Sequence, residues 1–482
     1  MNDNDLDQRR DSSSEQVRVC ESCGHVNPDD GSTRCSQCWL PLTWVAPVDE
    51  AEAEQLVRVR HWRLLRRRLL FRAVPAALVL GLGIWLLSGF VHLGPKPPAA
   101  TTNINAGLGP GMWAQVRRTP QNTAFISGQA PAPNTVTWIY DISGTFSASP
   151  AVAGGRIYIT SDGGRTVALD RQTGKPVWEH SGGHSASSTP AVADDLVIVT
   201  LRPGLVIGLD GATGERRWQT DLKHGVFSSP IVADGSAFIG AADSNLHALD
   251  IATGMERWAF PTEDWIVSPV AYADGTVVVA PQGNLIYVVD ADTGRKRFHF
   301  DTGFGRFGGG PTIRGDTVYF SSDRGLIWAI DRSAKTYPLQ RLIFHLKINL
   351  YVWQMLSEPP LQPGALWSIQ VEGEIRDLLA VAHDTVYGAT RQGEVFALEA
   401  PTGNRTWSTD VGATISTAPT VAGDTVLVGT KSGVVFGLNA ATGEILWDFQ
   451  AGHEIADSII VVKDTMYVAS TNGKLYAVTG AK

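Results

Sequence analysis

The chain has 482 residues, of which 43% are apolar and 18% are charged, and it includes 50 glycines and 15 tryptophans. This apolar and aromatic content excludes a chain that is disordered throughout, and the glycine content favours a β architecture with many turns. The net charge is −8 and lies in residues 101–482, which carry 28 Lys and Arg against 36 Asp and Glu. Because phosphate binding needs a basic surface, we expect no nucleic-acid partner for this part.

All four cysteines lie near the N-terminus, in two C-x-x-C pairs separated by eleven residues: Cys20, Cys23, Cys35 and Cys38. Each pair predicts a tight turn that directs two sulfurs at one ion, so the four thiolates predict one tetrahedral, structural Zn²⁺ site. Disulfides are the alternative, and a reducing cytoplasm disfavours them. Four thiolates leave no open coordination position for a substrate.

The cysteine segment resembles the short zinc-ribbon family in its Cys23-Gly24 step, its Asn27-Pro28 pair and its Leu42 after the last cysteine. The resemblance implies a small zinc ribbon over residues 17–44, preceded by a disordered segment over 1–16. We interpret His25 as a solvated loop residue because four sulfur ligands already complete the coordination shell.

An uncharged run of 23 residues lies between Arg72 and Lys96. As a helix it spans about 30–35 Å, which matches the hydrocarbon core of a bilayer. Seven arginines lie in the preceding juxtamembrane segment (45–72), whereas Lys96 is the only cation between the run and Arg117. This asymmetry predicts a single-pass transmembrane helix over 73–94 in the cell membrane, with the N-terminus in the cytoplasm and the rest outside.

Two other interpretations of this apolar run are disfavoured. A buried core helix would not carry the arginine-rich flank, and a cleaved signal peptide would need a charged region of more than 70 residues before it. The Pro- and Gly-rich residues 95–112 predict a linker that tethers the following domain.

One motif, Asp-x-x-Thr-Gly, recurs along the rest of the chain at steps of 40 residues, beginning at Asp170, Asp210, Asp250 and Asp290. An aromatic residue recurs in the same frame: Trp138, Trp178, Trp218, Trp258, Phe298, Trp367, Trp407 and Trp447. A fixed period of this length is typical of repeat architectures.

Each repeat contains short β-branched runs separated by turn residues, which predicts four strands per repeat. Four-stranded units in radial repetition form the blades of a β-propeller. The last repeat stops before its tryptophan strand, and an unpaired strand around Trp138 precedes the first complete repeat. Joining the two ends completes an eighth blade and removes a free sheet edge. The sequence therefore predicts an all-β, eight-bladed propeller over 113–482, closed by both ends of the ectodomain.

The repeats, for example residues 228–260, resemble the pyrroloquinoline-quinone (PQQ) type propeller repeat, and the likeness extends over about 134–480. The resemblance implies that each tryptophan packs flat between neighbouring blades. We interpret the Asp and Thr of the motif as corner-forming side chains that cap backbone amides, not as catalytic groups.

Members of this family divide into two classes. Quinoprotein dehydrogenases hold the quinone in a central funnel with calcium, a catalytic Asp and commonly a vicinal cysteine pair. Others bind proteins or ligands, as does the lipoprotein subunit of the outer-membrane assembly machine. No cysteine follows Cys38, so a vicinal pair is impossible, and outside the fifth repeat the chain lacks the long inter-blade insertions that build an enzyme's funnel. We therefore expect no catalytic residues and no bound PQQ. The alternatives are a PQQ-dependent dehydrogenase and a sensor that relays ectodomain binding to the ribbon.

The loops that follow the tryptophan strands are expected to meet at one mouth of the propeller, where ligand pockets form. They carry the candidate binding residues His184, His224, Trp265, Arg306, Phe307, Arg376, Asp377, His453 and Glu454. Mixed charge with aromatic residues suits a protein partner outside the membrane, while exposed polar residues on solvated loops are the alternative.

The fifth repeat departs from the pattern over 336–365, where the Thr-Gly corner is missing and large apolar residues are dense. Leu339, Leu342, Ile343, Leu346 and Leu350 fall near helical spacing, which predicts an amphipathic helix. Such a helix would protrude to meet lipid or a partner, or fold back over the outer edge of the blade.

Overall fold

The structure is a computed structural model that describes residues 16–59, 62, 81, 96–109, 111–146, 148–186, 188–303, 306–336, 339–357, 360 and 362–480. It divides into two compact units, Met1–Leu93 and Gly94–Lys482. Within the described residues, no helix has the length and apolarity needed to cross a membrane. The predicted transmembrane helix over 73–94 lies outside them except for Gly81, and the predicted disordered segment lies outside them except for Gln16.

The first unit contains a small antiparallel ribbon in which Val17–Val19 pairs with Val26–Pro28. Val17 also pairs with Val48 through two backbone hydrogen bonds of 2.9 Å. The ribbon therefore continues to Val48, beyond the predicted boundary at residue 44, because its first strand takes a second partner. Residues 50–59 are helical.

The second unit is a ring of eight four-stranded antiparallel blades, as predicted. Blade 1 comprises Ala151–Ala153, Arg156–Thr160, Arg165–Asp170 and Pro176–Ser181. Blade 2 comprises Ala191–Ala193, Leu196–Leu201, Leu205–Asp210 and Arg216–Asp221. Blade 3 comprises Ile231–Ala233, Ser236–Gly240, Asn245–Asp250 and Glu256–Pro261. Blade 4 comprises Ala271–Ala273, Thr276–Val279, Leu285–Asp290 and Lys296–Asp301.

The remaining blades follow the same order. Blade 5 comprises Thr312–Arg314, Thr317–Ser321, Leu326–Asp331 and Ala365–Gln370. Blade 6 comprises Ala380–Ala382, Thr385–Ala389, Glu394–Glu399 and Arg405–Asp410. Blade 7 comprises Thr420–Ala422, Thr425–Gly429, Val434–Asn439 and Ile445–Gln450, with Phe125–Ile126 added in parallel. Blade 8 comprises Ile460–Val462, Thr465–Ala469, Lys474–Gly480 and Pro133–Asp141.

The strand around Trp138 closes the ring. Pro133–Asp141 pairs along its length with Lys474–Gly480, and Ala477 lies opposite Trp138. The early strand thus supplies the outermost position of the last blade, so blade 8 is completed by both ends of the domain.

The short first strands of neighbouring blades contact each other, so they surround the central channel. The loops between blades and the turns between second and third strands share one end, which we call the loop face, as shown by the 2.9 Å bond from Gly182 N to Gly164 O. The hairpin turns between first and second strands share the other end with the Thr-Gly corners, because Arg171 N donates to Gly155 O at 3.0 Å. We call this end the turn face.

The predicted linker is not a free tether. Thr101 donates through its amide (2.6 Å) and its hydroxyl (2.8 Å) to Asp250 at the corner of blade 3. Gly235 N donates to Ile104 O at 2.9 Å, and Ala106 is buried. Residues 96–109, which we call the strap, therefore run along the turn face, because the corners of the blades satisfy their backbone groups.

Residues 113–126, which we call the channel segment, pass the inner strands of successive blades. In each of blades 1 to 7 the central amide of the first strand donates to this segment, at 2.6–3.0 Å. The donors are Val152, Val192, Val232, Tyr272, Ile313, Val381 and Val421. Inner strands carry backbone groups with no further strand to pair, and the channel segment satisfies them.

The insertion in blade 5 contains a helix, Gln340–Val352, which we call the insertion helix. The prediction of a helix here is confirmed. The helix does not fold against the outer edge of the blade, since Leu342 and Leu346 are more than half exposed. The insertion joins the third and fourth strands of blade 5, so it leaves the propeller at the turn face, where the other blades have their corners.

Candidate functional site

The four cysteine sulfurs lie within 4.8 Å of one another and form the candidate metal centre. Cys20 Sγ is 3.5 Å from Cys38 Sγ, and Cys23 Sγ is 3.5 Å from Cys35 Sγ. A tetrahedral Zn²⁺ with Zn–S bonds of about 2.3 Å separates its sulfurs by about 3.8 Å, so this donor set fits the ion. In the part of the chain that the structure describes, no other group of His, Cys, Asp or Glu side chains has metal-binding proximity.

The two cysteine turns have the same backbone design. Gly24 N donates to Cys20 O at 2.9 Å, and Trp39 N donates to Cys35 O at 3.0 Å. Gly24 and Trp39 both adopt positive φ angles, of 74° and 62°, which reverses the chain after each pair. The exposed His25 is not part of the sulfur cluster.

Asn27 supports the cluster from outside it. Its side-chain amide lies 3.6 Å from Cys35 Sγ, and its carbonyl oxygen accepts hydrogen bonds of 2.9 Å from both the amide and the hydroxyl of Ser36. Such contacts orient metal ligands and neutralise thiolate charge. Asn27, noticed in the sequence only as part of a family likeness, is therefore a supporting residue of the candidate metal centre.

The recurring tryptophans join neighbouring blades. Six of them donate an indole N–H to a backbone carbonyl 33 residues further along the chain, at 2.8–3.2 Å: Trp138, Trp178, Trp218, Trp258, Trp367 and Trp407. Trp447 and Phe298 occupy the same frame in blades 7 and 4. The six bonded indoles therefore dock neighbouring blades, and their only polar group is used in that docking.

Two structural features, a positive φ angle and a close indole ring, require glycine at each Thr-Gly corner. Gly254 has a φ of 72°, and an added Cβ would lie 2.5 Å from the indole of Trp218. The Asp that begins the corner caps it, because Asp250 Oδ1 accepts from the amide of Thr253 at 3.0 Å and from its hydroxyl at 2.9 Å. The Asp-x-x-Thr-Gly motif therefore has a structural role in forming the corner.

The predicted binding residues lie on the loops between blades, but the structure does not gather them into one cluster. His184, His224 and His453 are exposed on three separate loops and form no metal group. Trp265 is 53% exposed. Arg376 is exposed, and its Nε donates to Glu374 Oε1 at 2.6 Å. Glu454 is half-buried.

The prediction that Phe307 belongs to an exposed binding face is wrong. It is 8% exposed and packs edge-on against Phe320, with ring centroids 5.5 Å apart. Its position in the loop is the one that holds Val226, Ile415 and Ile455 in other blades, where each forms an isolated bridge to the second strand. An aromatic side chain at this position is buried in the core of the blade.

A polar cavity of about 620 Å³ opens on the loop face between blades 4 and 5. It is lined by Asp264, Gln282, Gly283, Asn284, Gly303, Arg306, Asp323 and Arg324. Of these, only Arg306 belongs to the predicted set of binding residues. The turns between second and third strands contribute five residues that the prediction missed, and the loops between blades contribute Asp264 and Gly303. The strand periodicity gives no sign that the turns of one blade face the loops of the next.

Arg117 of the channel segment lies inside the channel and is 1% exposed. Its Nη1 donates to Ser458 Oγ at 3.2 Å and its Nη2 donates to Leu379 O at 3.1 Å, while Nε is buried without a partner. Burial lowers the pKa of Arg117 to about 10, and the carboxylates of Asp457 and Asp377 partly oppose that shift. The guanidinium is still charged at neutral pH.

Asp377, predicted as a surface residue, is half-buried beside this guanidinium. Desolvation, with repulsion from Asp457, raises its pKa to about 6, and Arg117 moderates the increase. Equivalent loop positions in the other blades carry small residues, and only blades 6 and 8 carry carboxylates there: Ala148, Ser188, Ser228, Ser268, Gly309, Asp377, Thr417 and Asp457. Two carboxylates at one ring position are the sequence signal that could have revealed a buried cation.

A closed ring of eight four-stranded blades docked by indole groups defines a β-propeller of the PQQ-like repeat class. The profile of the family described as outer membrane protein assembly factor BamB matches residues 126–333, 261–361 and 351–482. These ranges cover most of the chain, so the chain belongs to this family. No curated protein matches the chain in sequence.

Solved structures share the fold at low sequence identity. BamB from Moraxella catarrhalis is 18% identical with a TM-score of 0.58, over 72% of this chain and 97% of that chain. Quinohemoprotein alcohol dehydrogenase from Comamonas testosteroni is 16% identical with a TM-score of 0.61, over 78% and 82%. The computationally designed protein Ika8 is 15% identical with a TM-score of 0.60, over 73% and 100%. Since an assembly factor, a dehydrogenase and a design all match, these likenesses establish the fold alone.

Proposed function

We propose that the propeller is a non-catalytic scaffold that binds a protein partner at its loop face, outside a membrane to which residues 73–94 anchor it. The cytoplasmic ribbon is proposed to hold one structural Zn²⁺. The observation that carries the first proposal is the contrast between the two ends of the ring. The chain's own strap occupies the turn face and its channel segment lines the channel, whereas the cavity opens on the loop face.

The lining of the cavity suits a polar peptide segment. Asp264 and Asp323 supply acceptors, Arg306 and Arg324 supply donors, and the charges balance. One oxygen of Asp323 is buried without a hydrogen-bond partner, which leaves an acceptor for a ligand. The exposed indole of Trp265 lies next to Asp264 in the chain, and tryptophan side chains commonly anchor protein interfaces.

The described side chains of the channel do not complement PQQ, a quinone that carries several carboxylates. The loops before blades 6 and 8 carry the carboxylates of Asp377 and Asp457. The guanidinium of Arg117 already donates hydrogen bonds to Ser458 and Leu379. Without a cation between them, these like charges would oppose the cofactor. This donor set supports the scaffold proposal over the dehydrogenase alternative, and we derive no redox step.

Site-specific crosslinking of the full chain in its native cells tests the scaffold proposal. We expect a photoreactive residue at position 265 to trap a partner, and the same residue at Val177, on the outer strand of blade 1, to trap none. The double variant Asp264→Ala/Arg306→Ala should reduce the yield at position 265 several-fold. Equal yields at positions 265 and 177 would refute the proposal.

A separate assay addresses the enzymatic alternative. The full chain is incubated with PQQ and Ca²⁺, and dye reduction is followed with alcohols and sugars. We expect no turnover above that of the free cofactor. Substrate-dependent turnover would establish the dehydrogenase and exclude a purely non-catalytic scaffold.

Metal analysis of the full chain tests the zinc proposal. We expect one equivalent of zinc per chain, its loss in Cys35→Ser, and full retention in the control His25→Ala, since His25 lies outside the sulfur cluster. Retention of zinc by the Cys35→Ser variant would contradict the assignment.

A further inference from the structure

The insertion helix exposes large apolar side chains on the turn face of the propeller. Five apolar residues within and just after the helix are between 48% and 66% exposed: Leu342, Ile343, Leu346, Val352 and Trp353. Met355 in the following turn is 69% exposed. Scattered single exposures are normal, but a contiguous apolar segment of this kind marks an interaction surface.

The helix is not stabilised by its own sequence. It has 13 residues, no side-chain cap at its N-terminus and no acidic residue in its first turn. Helices shorter than about 12–15 residues are marginal in water unless an apolar face packs against something. Most of the apolar side chains that would supply that packing are exposed, so a surface that covers them would stabilise the helix.

The charge of the insertion identifies that surface. Residues 333–357 contain Lys335, Arg341 and Lys347 and no Asp or Glu, although residues 101–482 as a whole are acidic. A helix with apolar and basic residues and an aromatic side chain near its end is the composition that binds the interface of an anionic bilayer. A second copy would offer its own insertion helix, and the positive charges of the two insertions would repel each other.

The position of the insertion agrees with this partner. The strap lies on the turn face, where Thr101 contacts Asp250, and the insertion emerges from the same face at Asp331. The uncharged run of 23 residues immediately precedes the strap in the sequence. A chain that leaves a bilayer near residue 95 therefore reaches the propeller on the face that carries the insertion helix.

We propose that residues 339–357 dock onto the surface of an anionic lipid bilayer, with the insertion helix lying in the interface. Leu342, Ile343 and Leu346 enter the acyl boundary, and Lys335 and Lys347 contact lipid headgroups. The contact turns the loop face and its cavity away from the membrane. This inference rests on the anchor of the proposed function but not on the partner at the loop face, so lipid docking and partner binding can fail independently of each other.

Hydrogen exchange of the full chain tests the docking. The protein is compared in detergent, in discs of phosphatidylcholine and in discs that also contain phosphatidylglycerol. We expect amides of residues 339–357 to exchange about tenfold more slowly in the anionic discs than in detergent, because a docked helix opens less often. Amides of the inner strands serve as the internal reference, since their exchange should not depend on lipid.

Variants decide what causes the protection. Leu342→Glu/Leu346→Glu should abolish it, and Val177→Glu, which places a charge at an exposed apolar position elsewhere, should leave it intact. The same exchange rate in anionic discs and in detergent would overturn the proposal. Protection that survives Leu342→Glu/Leu346→Glu, or that depends on protein concentration at constant lipid, would overturn it as well, the latter in favour of a second copy as the partner.

Discussion

The channel segment and the insertion helix are the two parts of the propeller domain that do not follow the repeat, and they contrast sharply. The channel segment has almost no regular secondary structure, yet it is buried and bonded to the first strands of seven blades. The insertion is a regular helix, yet its apolar side chains face outward. Whether a segment of this molecule is buried therefore depends on its hydrogen-bond and packing partners, and regular secondary structure alone does not bury it.

Trp113 provides the strongest test of that comparison. It is fully buried and exchanges two backbone hydrogen bonds of 2.7 Å with Val152. We expect Trp113→Ala to lower the free energy of unfolding by about 3–5 kcal/mol, since it opens a cavity where the segment meets blade 1. Urea denaturation followed by tryptophan fluorescence measures this. The exposed Trp265→Ala control should change stability by less than about 0.5 kcal/mol, and equal effects at the two sites would show that the segment is peripheral.

A substitution at Arg117 tests the electrostatic contribution of the channel segment to stability. Arg117→Met keeps most of the side-chain volume but leaves Asp457 and Asp377 without their buried cation. We expect a loss of about 3 kcal/mol, because breaking a buried charge arrangement from one side is strongly destabilising. Arg216→Met, at an exposed position on blade 2, is the matched control. A loss no larger than that of the control would mean that the channel cation is dispensable.

Asp377 predicts a pH dependence of smaller size. Its pKa is raised to about 6, so between pH 4 and pH 6 the native state binds more protons than the unfolded chain. Stability from this group is present at pH 4 and falls as the pH rises through 6, by about 1 kcal/mol once solvent screening of the half-buried carboxyl is included. Asp377→Asn should therefore be more stable than the wild type at pH 7.5 and equal to it at pH 4.5, in urea titrations at both pH values.

Asp457→Asn is the informative comparison for that experiment. Asp457 accepts a hydrogen bond of 3.1 Å from the backbone amide of Ser149, which ties blade 8 to the loop before blade 1. We expect this variant to lose stability at pH 7.5, where Asp377→Asn gains it. If both variants lost stability equally, the raised pKa of Asp377 would not describe the folded state.

The insertion helix should give the smallest effect. Leu342→Ser/Leu346→Ser removes exposed side chains only, so we expect the free energy of unfolding in detergent to change by less than about 0.5 kcal/mol. Thermal unfolding monitored by circular dichroism measures this. A loss of several kcal/mol would place the helix against the propeller and erase its contrast with the channel segment.

Much of the architecture could be predicted from the sequence. The 40-residue period, the turn residues and the unpaired Trp138 strand predicted eight blades and their closure, and the cysteine spacing predicted a cluster that the structure brings within 4.8 Å. The site was less accessible. Phe307 was predicted at the surface and lies in the core, and the cavity is lined mainly by turn residues that no motif distinguishes.

The sequence by itself determined what depends on local spacing: the strands and turns of each repeat, the indole docking positions, the paired cysteines and the helix in blade 5. Only the tertiary structure decided that residues 96–126 bind the turn face and the channel, that Asp377 faces a buried guanidinium, and that Phe307 is internal. The physical reason is that these outcomes depend on groups far apart in the chain. A backbone amide on each inner strand and a charge inside the channel select their partners only once the ring has closed.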